Sequence, residues 1–306
     1  MTGAGEAAMA GGHAVRLKSA AAGALALCLW VTPLLAADEH SGHAMEPLTP
    51  ARLSWTFSGP FGAYDRAQLQ RGFKIYREVC SNCHSLNKIS FRNLSQKGGP
   101  EFSEGQVKAL AAEYKIKDGP NDAGDMFERQ GRPSDIFPWN FANDQAARSA
   151  NGGALPPDMS LLAKARSYKR GFPLFLADPF LQYQEHGVDY IYAVLTSYVE
   201  APKDMKMEAG QYFNPAMPDL KIAMPNPLVA IVDEKTGKPL DDKFFPDGTV
   251  ANRDQVARDI SAFLMWTAEP KLEERKRTGF RAMAFLLLFA GLLFYTKRKV
   301  WSDVAH

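Results

Sequence analysis

Two cysteines and a histidine stand within five positions of one another in Cys80-Ser81-Asn82-Cys83-His84. Cysteines separated by two residues can each form a thioether to a vinyl group on one porphyrin edge. A histidine directly after the second is then carried beneath the iron as its proximal ligand. Three other chemistries use paired cysteines. A dithiol redox pair sits in a strand–helix–strand setting, which the flanking residues do not suggest. A structural zinc site needs a second ligand pair, and the one other cysteine, Cys28, lies in a leader segment. A disulfide between such near neighbours leaves His84 without a role. The reading is one haem c, attached through Cys80 and Cys83, with His84 on the iron.

The sixth ligand is open at this level. Beyond the motif, His186 and the methionines at 126, 159, 205, 207, 217, 224 and 265 are the candidates. A thioether is a soft, neutral ligand that favours ferrous iron and raises the potential, as a late electron carrier needs. Most methionines fill gaps in a core. Met217 and Met224 differ in lying in proline-rich loops, Pro215-Ala216-Met217-Pro218 and Ala223-Met224-Pro225-Asn226-Pro227. A stiff loop can hold a sulfur at a fixed distance, whereas a helix turns it into the core.

The elements that must position these groups read as short helices in long loops. Leu69, Phe73, Tyr76 and Cys80 step by four and three along a helix over 65–83. Val188, Ile191, Leu195 and Tyr198 do the same over 186–199, and Val256, Ile260, Phe263, Leu264 and Thr267 over 253–267. Asn252 three residues ahead of Gln255 suggests a capping box for the last. Segments 97–160 and 200–250 are rich in Gly, Pro, Asn and Asp without a sustained period, and Leu228–Val232 is the best strand signal. A helical body with so little regular structure lacks an apolar centre of its own, which a haem would supply.

Both ends carry apolar segments. Arg16 and Lys18, an apolar run from Ala20 to Leu35 and then Ala36-Ala37 before Asp38-Glu39 have the order of a secretory signal peptide, residues 1–37, removed together with Cys28. Ala282 to Tyr295 is fourteen residues without a charge. With Gly279-Phe280 and Thr296 it approaches the ~17 residues of a short membrane span. Basic residues flank it, and Tyr295 and Trp301 suit an interfacial aromatic belt. The expected layout is an exported haem domain at 38–270, a basic linker at 271–281, an anchor at 282–296 and an internal tail at 297–306. The 306 residues total +2, but segment 38–270 holds 26 basic against 30 acidic residues, which argues against nucleic-acid binding and favours basic partners. His40 and His43 form a pair in the polar leader that could bind a metal, though such pairs are more often solvated.

Several stretches together resemble the cytochrome c1 family: Cys80 to Leu86, Gly153-Ala154-Leu155-Pro156-Pro157-Asp158-Met159-Ser160, and Tyr212-Phe213-Asn214-Pro215 running into Ile222-Ala223-Met224-Pro225. So does Phe263 to Pro270 followed by Arg275-Lys276-Arg277 and one apolar helix. The resemblance implies a mainly α, cytochrome c-like haem domain with long loops and one carboxyl-terminal transmembrane helix, of bacterial type. It implies a one-electron carrier of a respiratory or photosynthetic chain, taking electrons from the Rieske iron–sulfur protein and passing them to a cytochrome c. Its setting would be the bc1 complex (ubiquinol–cytochrome c reductase) with cytochrome b, quinol oxidation lying on other subunits. The place would be the bacterial inner membrane, with the haem domain periplasmic and the carboxyl terminus cytoplasmic. The resemblance also implies Met224 as the iron ligand opposite His84, Arg166 as a haem propionate partner and Tyr190 as a pocket residue. The chain departs from mitochondrial members in a longer link at 167–186. It also lacks the cysteines for the extra disulfide of some bacterial relatives. Other readings of the residues are an anchored mono-haem donor to an oxidase, and a haem enzyme or gas sensor with an open distal side.

Overall fold

The computed structural model describes residues 45–166 and 186–304. The leader 1–37, Cys28, His40, His43 and the link 167–185 lie outside these residues. Seven α-helices and two two-stranded sheets are present among the described residues, so the architecture is mainly α, as expected.

Helix α1 (Arg66–Glu78) begins where the Asp65 carboxylate accepts the Gln68 N–H, a cap worth ~1 kcal/mol. Its buried face is Leu69, Gly72, Phe73, Ile75 and Tyr76. The helix ends at Glu78 and does not run on to Cys83. A tight 3-10 turn, Cys80–Asn82, follows, so the two cysteines sit on a turn and not on a helical stripe. Helices α2 (Glu104–Ala112) and α3 (Asp144–Ala150) and the hairpin of β1 (Lys115–Asp118) with β2 (Phe127–Gln130) occupy the segment that shows no period in sequence. The physical reason is that α2 buries only Val107 and Ala111, and α3 only Ala147. Neither has an apolar stripe to read, and both are held by their caps, Ser103 with Gln106 and Asn143.

Short α4 (Leu162–Ala165) and α5 (His186–Thr196) pack on the long α6 (Arg253–Ala268), in which every residue from Asp259 to Thr267 is buried. The Asn252 side chain caps Gln255 at 2.9 Å, but the Gln255 amide turns to Asp259 at 2.8 Å, so only the first half of the expected capping box forms. Helix α1 crosses α6 at Gly72, where a Cβ would stand 2.2 Å from the Asp259 carbonyl oxygen. Beside that contact Arg71 grips the fully buried Asp259 with two bonds, 2.7 and 3.2 Å, a geometry that fixes orientation as well as charge. Phe73, Tyr76, Phe91, Phe137 and Phe263 form the aromatic centre, with neighbouring rings 4.3 to 6.2 Å apart. Each ring removed from water contributes about 1.5–3 kcal/mol.

Leu228–Val232 is not a strand. Pro227–Ala230 is a 3-10 helix capped by the Asn226 side chain, and Pro227 at its start has no N–H to give a ladder. Val232 alone makes a strand-like bridge, to Pro239. The second sheet is two short strands, β3 (Tyr212–Phe213) and β4 (Lys221–Ile222). Helix α7 (Leu272–Val300) runs unbroken for 29 residues, about 44 Å at 1.5 Å per residue. It takes in both the basic stretch after Lys271 and the apolar run. Its 18-residue apolar window has mean hydropathy 1.7 and none of it is buried. Among the described residues it is the one helix long and apolar enough to cross a membrane.

Candidate haem site

The turn that follows α1 has every main-chain oxygen from Cys80 to His84, Asn82 aside, tied down. The Cys80 carbonyl takes the N–H groups of Cys83 and His84 at 3.2 and 2.9 Å. Asn140 donates to the Ser81 carbonyl and the Trp139 indole to that of Cys83, both at 2.9 Å. The Tyr76 hydroxyl reaches the His84 carbonyl at 3.2 Å. A turn held at so many points presents Cys80, Cys83 and His84 in one fixed relation.

His84 Nδ1 lies 2.8 Å from the Pro157 carbonyl oxygen. That oxygen can only accept, so the proton sits on Nδ1 and Nε2 keeps its lone pair for a metal. Burial lowers the imidazole pKa, against smaller opposing effects of Pro157 and Asp158, which favours the neutral form a ligand needs. Pro157 is itself clamped. The Asp158 carboxylate accepts from the Ser85 hydroxyl (2.7 Å) and from the N–H groups of Asn87 (2.8 Å) and Ser160 (2.9 Å), and Met159 N–H bonds the Ser85 carbonyl at 2.9 Å. Burial pushes the Cys80 thiol up to about 12, with Cys83 adding to the effect. A reactive or zinc-binding cysteine sits in the opposite environment, one that lowers its pKa.

Met217 and Met224 come together under α5. Both pack with Tyr190 and Ile222 against a small apolar cluster of Ala193, Val194 and Ala216, separate from the main core. The loop is bound to α5 by Asn214, whose amide donates to the Val194 carbonyl at 2.7 Å while its oxygen accepts the Ala216 N–H at 3.0 Å. The Tyr190 hydroxyl donates to Met217 Sδ at 3.2 Å, and that of Tyr198 to the Met224 carbonyl at 3.0 Å. Burial raises the Tyr190 pKa, and the charge of Arg166, exposed at the end of α4, opposes it.

The other ligand candidates sit elsewhere. Met159 and Met265 are buried in the main core, Met126 is exposed on the hairpin turn, and Met205 and Met207 are half-buried in the loop after α5. His186, half-buried, opens α5. The residues present fit a covalently bound haem: two thioether-forming cysteines, one imidazole with its tautomer fixed, and a loop of thioethers half-buried beside an aromatic ring. Sequence reasoning gave no supporting role to Pro157, Asp158, Trp139, Asn140 or Tyr76. Of these, Tyr76 stood in the helical stripe and Pro157-Asp158 in the family segment, while Trp139 and Asn140 carried no signal.

Comparison with known proteins agrees with this chemistry. Residues 55–304 match the model of the cytochrome C1 family. The cytochrome b/c1 of Bradyrhizobium diazoefficiens is 54% identical over 255 residues, covering 83% of this chain and 36% of that protein. The cytochrome c1 of Blastochloris viridis is 42% identical over 259 residues, covering 84% of this chain and 88% of that one. That of Rhodospirillum rubrum is 40% identical over 269 residues, with 82% and 87% covered. The chain thus spans about a third of the first relative and most of the other two.

Proposed function

The chain belongs to the cytochrome c1 family, and from that membership we propose that it carries single electrons from a Rieske iron–sulfur protein to a cytochrome c within a bc1 complex that also contains cytochrome b. The family carries one covalent haem c, and Cys80 and Cys83 have the spacing that attaches it. When bound, the haem supplies a one-electron couple whose potential its axial ligands set.

The observation that carries the reading is the clamp on His84. Cys80 and Cys83 would attach the haem, and the Pro157 carbonyl, by holding the proton on Nδ1 of His84, leaves Nε2 free to bind the iron. Met224, on its proline-stiffened loop under α5, would supply the second ligand to that iron. Held by His84 and Met224 together, the iron would have no open position for a substrate, and the group would supply outer-sphere electron transfer only. Arg166 offers a charge to the propionates, and the half-buried Tyr190 lines the pocket. The apolar helix α7 anchors the protein in a membrane. Its direction follows from the leader: residues 1–37 direct export across a bacterial inner membrane and are removed. The domain at 38–270 then works on the periplasmic side, with the basic segment 271–281 leading to the anchor at 282–296 and the tail at 297–306 cytoplasmic.

A redox titration of the purified, membrane-extracted protein with optical readout tests this. A single one-electron wave at high potential, with the thioether-to-iron band in the oxidised form and co-purification of a cytochrome b, is the expected result. A low-potential wave without that band, or binding of carbon monoxide by the reduced protein, would mean an open distal side and defeat the reading.

A further inference from the structure

We propose that the loop of residues 57–63 is a second membrane contact, with Phe61 set into the lipid interface beside the anchor helix so that the haem domain is seated on the bilayer. The proposal rests on the reading of α7 as a membrane anchor.

The argument starts from the length of that anchor. Ala282 to Thr296 is fifteen uncharged residues, about 22 Å of helix, whereas a hydrocarbon core is ~30 Å thick. About five more residues must enter the bilayer. At the carboxyl end three consecutive cations, Lys297, Arg298 and Lys299, block the way. At the other end only Arg281 intervenes before the uncharged Thr278-Gly279-Phe280, and one long arginine can snorkel. The span therefore extends upstream, and its edge falls near Arg277. Phe280, 64% exposed, is then inside the membrane boundary.

Phe61 stands next to it. The two rings lie edge to face with centroids 6.0 Å apart, and Phe61 is 81% exposed. A lone exposed phenylalanine would need no explanation, but this one continues the apolar surface of Phe280 and Met283. The loop also holds it out rigidly. Phe57, four residues earlier, is buried between Trp55 and Tyr64, with centroids 5.5 and 5.1 Å away. Lys276 of α7 donates to the carbonyls of Phe57 (2.6 Å) and Gly62 (3.2 Å), and the Ala63 N–H bonds the Thr56 carbonyl at 3.0 Å. At Gly62 a Cβ would lie 2.1 Å from the Ser58 oxygen, so the turn closes only with glycine. The loop and the first turns of α7 thus move as one body, and wherever α7 meets the lipid surface Phe61 meets it too. Arg277 and Arg281, both exposed, sit at the level of the lipid phosphates.

The test uses the full, haem-loaded chain with single cysteines bearing a nitroxide, in bilayers of phosphatidylcholine and phosphatidylglycerol. Access of oxygen, which concentrates in lipid, is compared with that of a water-soluble nickel chelate at three positions: Phe61→Cys, Leu288→Cys in the middle of α7, and Leu240→Cys, exposed far along the chain from the anchor. The expected result is an oxygen-to-nickel ratio at position 61 several-fold above that at 240 and below that at 288. If position 288 reads as lipid while 61 reads as water, the proposal fails and the anchor stands. Low access to both reagents at 61 would mean that protein covers the loop, which also overturns it. If 288 itself reads as water, the anchor reading is what has failed.

Discussion

The Tyr190 hydroxyl donates to the thioether sulfur of Met217 across 3.2 Å, whereas Met224, seven residues on in the same loop, is held through its carbonyl by Tyr198. Two thioethers therefore reach one apolar cluster under α5, but they are engaged differently. A sulfur that accepts a hydrogen bond has already committed a lone pair to a weak donor contact. That difference supports the proposal that Met224 is the iron ligand and Met217 lines the pocket.

Replacing Met224 by Leu keeps approximate volume and removes the thioether. The protein should lose its thioether-to-iron absorption band and its potential should fall by roughly some hundreds of millivolts, within the ~0.8 V that axial ligands command. Met217→Leu gives up one O–H···S contact and should leave the band in place with the potential little changed. Spectra and potentiometric titration of the two variants check this, and a reversed pattern would move the ligand to Met217.

The Asp158 carboxylate is the hub that sets Pro157 against His84. Burial alone would raise its pKa, but the Asn87 N–H, the Ser160 and Ser85 hydroxyls and the Ser160 N–H outweigh that and hold it below the usual carboxylate range. A depressed folded-state pKa stabilises the fold above the unfolded carboxylate's pKa, and that stability is lost as pH falls through the folded value. Asp158→Ala removes the acceptor for Ser85, Asn87 and Ser160 and should cost about 1–3 kcal/mol. Denaturant melts followed through the Met–iron band should show the wild type losing stability on acidification below pH ~4, and the variant losing less over the same interval.

The sequence disclosed the haem motif because its two attaching cysteines and one ligating histidine fall within five residues, and it disclosed α1 and α6 because their apolar residues recur at helical steps. The supporting shell was hidden for a definite reason. Trp139, Asn140 and Pro157 lie 56 to 73 residues from the groups they meet and act on or through main-chain oxygens, which leave no mark on side-chain pattern. Helices α2 and α3 were hidden because capping, not an apolar face, defines them. Leu228–Val232 misled because β-branched residues suggest a strand while Asn226-Pro227 dictates a turn. The choice between Met217 and Met224 came from resemblance, since both loops have the same proline chemistry.

Segment 38–270, with 26 basic and 30 acidic residues, should attract a basic acceptor. Two stretches hold three acids each, 118–125 and 200–208; the second exposes Glu200, Asp204 and Glu208 beside Lys203 and Lys206 and is tied to the methionine loop by Lys221, which donates to the Lys206 carbonyl at 2.9 Å. In the other, Asp118 to Asp125, Asp118 is already paired with Arg129. Reduction of a basic cytochrome c should slow as salt rises. Charge reversal at Glu200, Asp204 and Glu208 should lower the association rate and flatten that salt dependence, whereas reversal at Asp122 and Asp125 should change it less. Stopped-flow rates across ionic strength decide, and rates that stay level with salt count against steering.

The last prediction locates the end of the haem domain. Leu272 is buried, Glu273 accepts the Tyr64 N–H at 3.0 Å and pairs with Arg66 at 2.6 and 2.9 Å, and Lys276 binds the Phe57 and Gly62 carbonyls. The first turn and a half of α7 therefore belongs to the domain core, although the remainder is exposed and apolar. A protein ending at residue 278 keeps all of these contacts. Exported and loaded with haem, it should be soluble, red, fully reducible and as stable to denaturant as the domain in the full chain. A protein ending at residue 270 loses the Leu272 side chain, about 1.5–3 kcal/mol of apolar burial, and the Glu273 carboxylate that Arg66 and the Tyr64 N–H share, leaving Arg66 with Glu101 and the Tyr64 carbonyl. It should unfold at measurably lower denaturant while keeping the proposed iron ligands, His84 and Met224, which lie upstream. Equal stability of the two truncations would place the boundary before Leu272. Loss of haem from the longer one would mean that the transmembrane part of α7 is needed to build the site.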